Sequence, residues 1–224
     1  MLGKIIVIEG IDGSGKNTQA KLIKEYLQNK DFKCILLHFP MYNETFFGKE
    51  VGNYLNGEYG GLEYTHPKLT ALLYAGDRFE KREYLKEELE KGTIIILDRY
   101  VPSNIAHQSA KLNDDEFENF KKWVEELEYS VFGLPKPNQT IFLDMPPHIS
   151  YKLVLNKDER DYTEKKQDLH EENIDYLKKV YKKFKLLSES NDWVSIQCYE
   201  NELPRTIEEI NNDILAVVEP VIKN

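Results

Sequence analysis

Five short apolar runs punctuate the chain: KIIVI at 4–8, KCILLH at 33–38, TIIILD at 93–98, QTIFLD at 139–144 and DWVSIQC at 192–198. They are rich in Ile, Leu and Val and alternate little, as strands do when helices cover both faces of a parallel sheet. Between them the period changes to three and four. Residues 16–29 place Ala20, Ile23 and Leu27 on one face, with Leu22 and Tyr26 beside it. Residues 114–130 open on Asn-Asp and carry Phe117, Phe120, Trp123, Val124 and Leu127. Residues 168–190 repeat the pattern with Ile174, Leu177, Val180, Tyr181, Phe184 and Leu187. Such alternation of strand and helix predicts an α/β fold, a doubly wound five-stranded parallel sheet with helices on both faces, in one domain over 1–224.

Two stretches break the periodicity. Residues 40–61 gather Pro40 and five glycines around a short helical piece, and 156–167 (NKDERDYTEKKQ) are highly charged with no apolar stripe. The first ten residues are apolar for too short a run to make a signal peptide or a membrane span, and no later run reaches spanning length. Among 224 residues, 41% are hydrophobic and 31% charged, and the net charge is −9. That balance argues against a broad nucleic-acid surface, although a loop of backbone N–H groups can bind phosphate inside an acidic protein. Cys34 and Cys198 lie in strand-like runs and read as buried reduced thiols, which suits a cytoplasmic location.

The chemistry concentrates at Gly10-Ile11-Asp12-Gly13-Ser14-Gly15-Lys16, which follows a strand and opens a helix. Glycines let successive N–H groups turn inward around a β-phosphate, the helix N-terminus adds partial positive charge, and Lys16 reaches the β- and γ-phosphates. Residues 10–18, including Asn17 and Thr18, are therefore expected to bind ATP. Asn17 stands where a hydroxyl normally helps hold Mg²⁺. An amide oxygen is a weaker but feasible ligand, whereas Thr18 points about 100° away around the helix. Asp98, ending the third strand, is the expected second metal ligand, and Asp144, ending the fourth, a lesser one.

Arg99, next to Asp98, can bridge an acceptor phosphate and the transferring group. Phe39 and Tyr74 can wall a flat base, Arg78 shares a helical face with Tyr74, and Gln108 offers a donor and an acceptor. A phosphoryl-transfer site also wants cationic charge over the transition state. The phosphate loop has no base before Lys16, whereas 156–167 supply Lys157, Arg160, Lys165 and Lys166.

Four further stretches, HFP at 38–40, LLYAGDRFE at 72–80, DRYVPSNIAHQ at 98–108 and LPKPNQTIFLD at 134–144, together with the phosphate loop, resemble the thymidylate kinase family over nearly the whole chain. The resemblance implies a P-loop kinase that transfers phosphate from ATP to dTMP with Mg²⁺, as a homodimer built on helices beside the sheet, within 66–91 and 101–130. It implies that Phe39 and Tyr74 contact the base, Arg78 the thymine O4 and Gln108 the ring N3–H. Asp12 is implied near the sugar and acceptor phosphate, with Arg99 on that phosphate and Asn104 on the substrate. The resemblance also implies that 156–167 form a short lid, with Arg160 the transition-state contact. Two departures stand out. No arginine follows Phe39-Pro40, leaving Lys49 as a substitute, and His107 occupies a position usually aromatic and associated with deoxyribose preference.

Two rivals share the loop. A deoxynucleoside kinase needs a carboxylate base for a hydroxyl, here Glu9 or Asp12, whereas DRY after the third strand favours a monophosphate acceptor. A nucleotide sensor with weak turnover would exploit Asn17, but Lys16, Arg99 and Arg160 then have no evident purpose.

Overall fold

The computed structural model describes residues 2–60, 65–155 and 174–223. Its centre is set by β1 (Lys4–Glu9), where Ile5, Ile6, Val7 and Ile8 have no solvent exposure at all. Odd and even positions bury into two different cores, which is why the run lacks polar alternation. With α1 (Lys16–Asn29), β2 (Cys34–His38), α2 (Phe46–Leu55), α3 (Pro67–Glu80), α4 (Arg82–Glu90), β3 (Ile94–Asp98), α5 (Val101–Ser109), α6 (Phe117–Glu125), β4 (Gln139–Asp144), α7 (Pro147–Leu155), α8 (Ile174–Leu187), β5 (Trp193–Gln197) and α9 (Ile207–Lys223), it forms a doubly wound domain. All pairings in the five-stranded sheet are parallel, in the order β2-β3-β1-β4-β5.

One core joins Ile5, Val7, Ile95, Leu97 and Phe142 to α5, α6 and α8; the other joins Ile6, Ile8, Ile96, Ile141 and Leu143 to α1 and α9. Burying each such side chain contributes about 1.5–3 kcal/mol, so the layers hold the strand ends in fixed register. His38 pairs with Asp98, and Asp98 with Ile8, which brings the carboxyl ends of β2, β3 and β1 level. Ligands of open α/β sheets bind beyond these ends.

The expected helix at 114–130 is instead three pieces: a 3-10 turn at Asp114–Glu116, α6, and a π-helical turn at Glu126–Val131. The expected 168–190 helix is described over Ile174–Leu187, and residues 156–167 with Arg160 lie outside the described residues. A short antiparallel pair, β6 (Tyr199–Glu200) with β7 (Leu203–Pro204), and α9 after it were not foreseen. The tyrosine of the DRY stretch has a packing role: Tyr100 Oη donates to the Pro135 carbonyl at 3.0 Å, pinning the LPKP segment beneath α5.

Candidate active site

The phosphate loop leaves β1 and closes on α1, whose N-cap is Gly15 at φ 91°. Gly10 also has positive φ, and a β-carbon there would meet Ser14 Oγ at 2.7 Å and the Leu143 carbonyl at 3.1 Å. Both positions require glycine, one for the turn and one for close packing. Lys16 is buried and donates to the Ile11 carbonyl at 2.8 Å, so its amine curls over its own loop. Burial, aided by Arg99, lowers it to about 8. Ser14 Oγ is buried without a partner among the described residues, while Asn17 and Thr18 are exposed on the first turn. Ser150 Oγ of α7 donates to the Asp12 carbonyl at 2.6 Å and braces the loop from outside.

Arg99 faces this loop. Its backbone takes the left-handed conformation, φ 70°, and its guanidinium pairs with Asp12 and donates to Ser103 Oγ at 3.1 Å. Burial opposes the charge, but Asp12, Asp98 and Glu9 hold Arg99 above the ordinary guanidinium range. Glu9 serves the scaffold: it accepts from Tyr100 N at 2.9 Å, Ser103 N at 3.1 Å and Ser103 Oγ at 2.5 Å, capping α5. Burial raises Glu9 above the usual carboxylate range. Asp98 lies 3.3 Å from His38 Nδ1 through one oxygen, and its other oxygen, Oδ1, is buried with no partner among the described residues. Burial would raise Asp98, yet His38 and Lys16 hold it below the ordinary value.

Behind Arg99, α5 packs on α3, and α3 in turn on α2. Arg78 is 2% exposed and makes a two-pronged ion pair with Glu128, Nε to Oε2 at 2.5 Å and Nη2 to Oε1 at 2.7 Å. Asn104 Nδ2 joins the same carboxylate at 2.8 Å and the Ala71 carbonyl at 3.0 Å, leaving Oδ1 unpartnered. One turn on, Gln108 Oε1 accepts from Lys111 Nζ at 2.6 Å, and its Nε2 is buried and unpartnered. The oxygen expected to meet a ring N3–H is thus already engaged, and the nitrogen is the free edge. Lys111 also donates to Tyr54 Oη at 2.7 Å, and burial lowers it to about 7. Tyr74 is half-buried against Val51, Tyr54 and Leu55, and Phe39 is buried against Tyr100 with ring centres 6.1 Å apart. His107 lies 3.4 Å from Arg99 Nη1 and edge-on to Phe184.

Lys16, Arg99, Asp12 and Asp98 thus converge at the carboxyl ends of β1 and β3, and Arg78, Asn104 and Gln108 share the floor behind them. Asp144 is diverted to α8, accepting from Tyr181 Oη at 2.6 Å and Lys185 Nζ at 3.0 Å. Lys49 is exposed on α2. The loop after Phe39-Pro40 is anchored by Asp77, which accepts from Met41 N at 3.0 Å and from Thr45 Oγ1. Sequence reasoning missed Glu128 and Lys111. Glu128 falls four residues after Val124, where the apolar stripe of α6 runs on into the π-helical turn, and a carboxylate there signals a buried cationic partner. Lys111 carries no comparable signal.

The family model for thymidylate kinase matches residues 8–214. The chain belongs to the thymidylate kinase family. Thymidylate kinase of Plasmodium falciparum (isolate 3D7) is 33% identical over 216 residues, 96% of this chain and 90% of that protein. Thymidylate kinase of Schizosaccharomyces pombe is 30% identical over 219 residues, 98% of this chain and 93% of that one. A solved thymidylate kinase from Candida albicans superposes with a TM-score of 0.75 at 25% identity, covering 98% of this chain and 92% of that one. Small nucleotide substrates suit a chain of this family. No helix among the described residues is long and apolar enough to cross a membrane.

The donor set suits Mg²⁺ in a thymidylate kinase. Among the described residues no three His, Cys, Asp or Glu side chains gather into a metal cluster. Magnesium typically takes one or two protein carboxylates, with waters and substrate phosphates completing its shell. The unpartnered Oδ1 of Asp98, beside Lys16, is a buried acceptor of the required kind.

Proposed function

We propose that this protein transfers the γ-phosphoryl group of ATP to dTMP, giving ADP and dTDP. The observation that carries this reading is a pair of unsatisfied buried atoms one turn apart on α5, the acceptor Asn104 Oδ1 and the donor Gln108 Nε2. The imide edge of thymine offers the complement, an N3–H beside a ring carbonyl. Arg78, with two of its nitrogens on Glu128, has Nη1 left over for the O4 side, and Tyr74 and Phe39 border the ring. The acceptor phosphate is placed at Arg99, which exchanges part of its pairing with Asp12 for the phosphate oxygens. The loop N–H groups and Lys16 hold the ATP phosphates, and Lys16 leaves the Ile11 carbonyl to reach them.

Asp98 and Asn17 would hold Mg²⁺, directly or through water, and the ion would supply charge neutralisation between the ATP phosphates. The chain's own residues align two anions and withdraw charge from the transferring group. An acceptor phosphate oxygen is already anionic, so no general base is called for. That favours the monophosphate over the nucleoside as acceptor, because Glu9 is committed to α5 and Asp12 to Arg99. Arg160 is proposed as the transition-state contact. The enzyme is further proposed to work in the reducing cytoplasm, where Cys34 and Cys198 stay buried as free thiols, and as a homodimer.

An ADP-release assay with Mg²⁺, ATP and a panel of nucleoside monophosphates and nucleosides tests the reaction. Turnover is expected with dTMP and not with thymidine. Turnover with thymidine alone would transfer the assignment to a nucleoside kinase, and none with either would make the site a sensor.

A further inference from the structure

Lys111 is a cation in an unusual setting. It is half-buried, makes no ion pair among the described residues, and spends its donors on two neutral oxygens, Tyr54 Oη at 2.7 Å and Gln108 Oε1 at 2.6 Å. A protonated lysine has three N–H donors and no acceptor, so the Gln108 atom that touches it must be the amide oxygen. That contact fixes the orientation of an otherwise symmetric-looking amide. With Oε1 held by Lys111, the NH₂ is turned away and stands buried and unpartnered.

We propose that Lys111 is a positioning residue for acceptor-base selection: by holding Gln108 Oε1 it makes the amide present its NH₂, so that the site reads a ring carbonyl and rejects a ring amine. The inference rests on the reading of the acceptor as a pyrimidine monophosphate and adds the residue that sets its keto preference. Thymine and uracil carry a carbonyl where cytosine carries an exocyclic amine. An NH₂ facing that amine leaves two donors opposed and desolvated, the arrangement by which buried polar sites discriminate most sharply. Freed from Lys111, the amide can rotate and offer Oε1 to the cytosine amine instead. Tyr54 supplies the second oxygen on the same ammonium and bears on the lysine's position, not on the amide's orientation.

The test compares Lys111→Met, Lys111→Arg and Tyr54→Phe with the unaltered enzyme at pH 6.5, below the value of about 7 to which burial lowers the lysine. Each is assayed with dTMP as substrate and with dCMP as both substrate and competitive inhibitor. In Lys111→Met the preference for dTMP over dCMP falls about tenfold, the scale of one charge-assisted hydrogen bond. The change appears in KM for dTMP and in the inhibition constant of dCMP, with kcat within about twofold. Lys111→Arg, which keeps a donor on Oε1, restores most of the preference, and Tyr54→Phe leaves it within about twofold. An equal loss on both nucleotides in Lys111→Met, or a Tyr54→Phe preference as low as that of Lys111→Met, would make Lys111 a mere staple between α5 and α2 and overturn the inference. Absence of dTMP turnover in the unaltered enzyme would overturn the acceptor assignment, and this inference with it.

Discussion

His107 shows how a single side chain couples the site to acidity. Burial, reinforced by the Arg99 guanidinium, lowers it to about 3 from an ordinary 6.5. Between those two values the unfolded chain binds a proton that the native protein refuses, so stability falls as pH drops from about 6.5 toward 3. The slope attributable to this residue approaches about 1.4 kcal/mol per pH unit. His107→Phe, which keeps the ring packing against Phe184, is expected to flatten the acid limb of the stability curve. Urea midpoints measured for both proteins from pH 7 to pH 4 check this, and parallel curves would refute it. The same ring sits beside the Arg99 guanidinium, so its refusal of a proton also keeps a second positive charge out of a place already occupied by one.

At the scale of elements, the π-helical turn after α6 is the feature with most leverage. It aims Glu128 inward at Arg78, and breaking a buried ion pair from one side costs about 3–5 kcal/mol because the remaining charge has no partner. Glu128→Gln is expected to lower the urea midpoint by about 1.5–2.5 M at an m-value near 2 kcal/mol per M, and the Arg78→Met/Glu128→Met pair to recover most of that loss. The strands were legible because runs buried on both faces have nothing but apolar positions to show. The phosphate loop was legible because its glycines, its lysine and its place between strand and helix are local. The π-turn was not, since it depends on an arginine 50 residues earlier in the chain, and helical period alone extrapolates straight through it. Helix α9 carries a regular stripe of Ile210, Ile214, Val218 and Ile222, but Pro220 near its end reads as a breaker. Side-chain partnerships were hidden for the same reason: Lys111 became informative only when folding brought Tyr54 and Gln108 to it.

For the whole molecule, the question is which face stays dry. Leu69, Leu72 and Phe79 stand exposed along α3, with Val131 of the π-turn nearby and Phe79 packed on Phe132 at 4.8 Å between ring centres. A patch of this kind beside the sheet is where a second copy would sit, despite a net charge of −9 that keeps most of the surface repulsive. Light scattering is expected to give a mass near twice 26.3 kDa, and Leu72→Glu to shift it toward a single chain. A monomeric unaltered protein would refute the dimer. Because α3 also carries Tyr74 and Arg78 on its inner side, the same variant is expected to raise KM for dTMP.

The left-handed backbone at Arg99 sets a conflict between folding and chemistry within one residue. Such a conformation costs a non-glycine residue on the order of 1 kcal/mol, and glycine would adopt it freely. Selecting variants for heat resistance alone would therefore drive position 99 toward glycine or asparagine, and a directed-evolution campaign that never assays phosphoryl transfer would discard the guanidinium proposed to bind the acceptor phosphate.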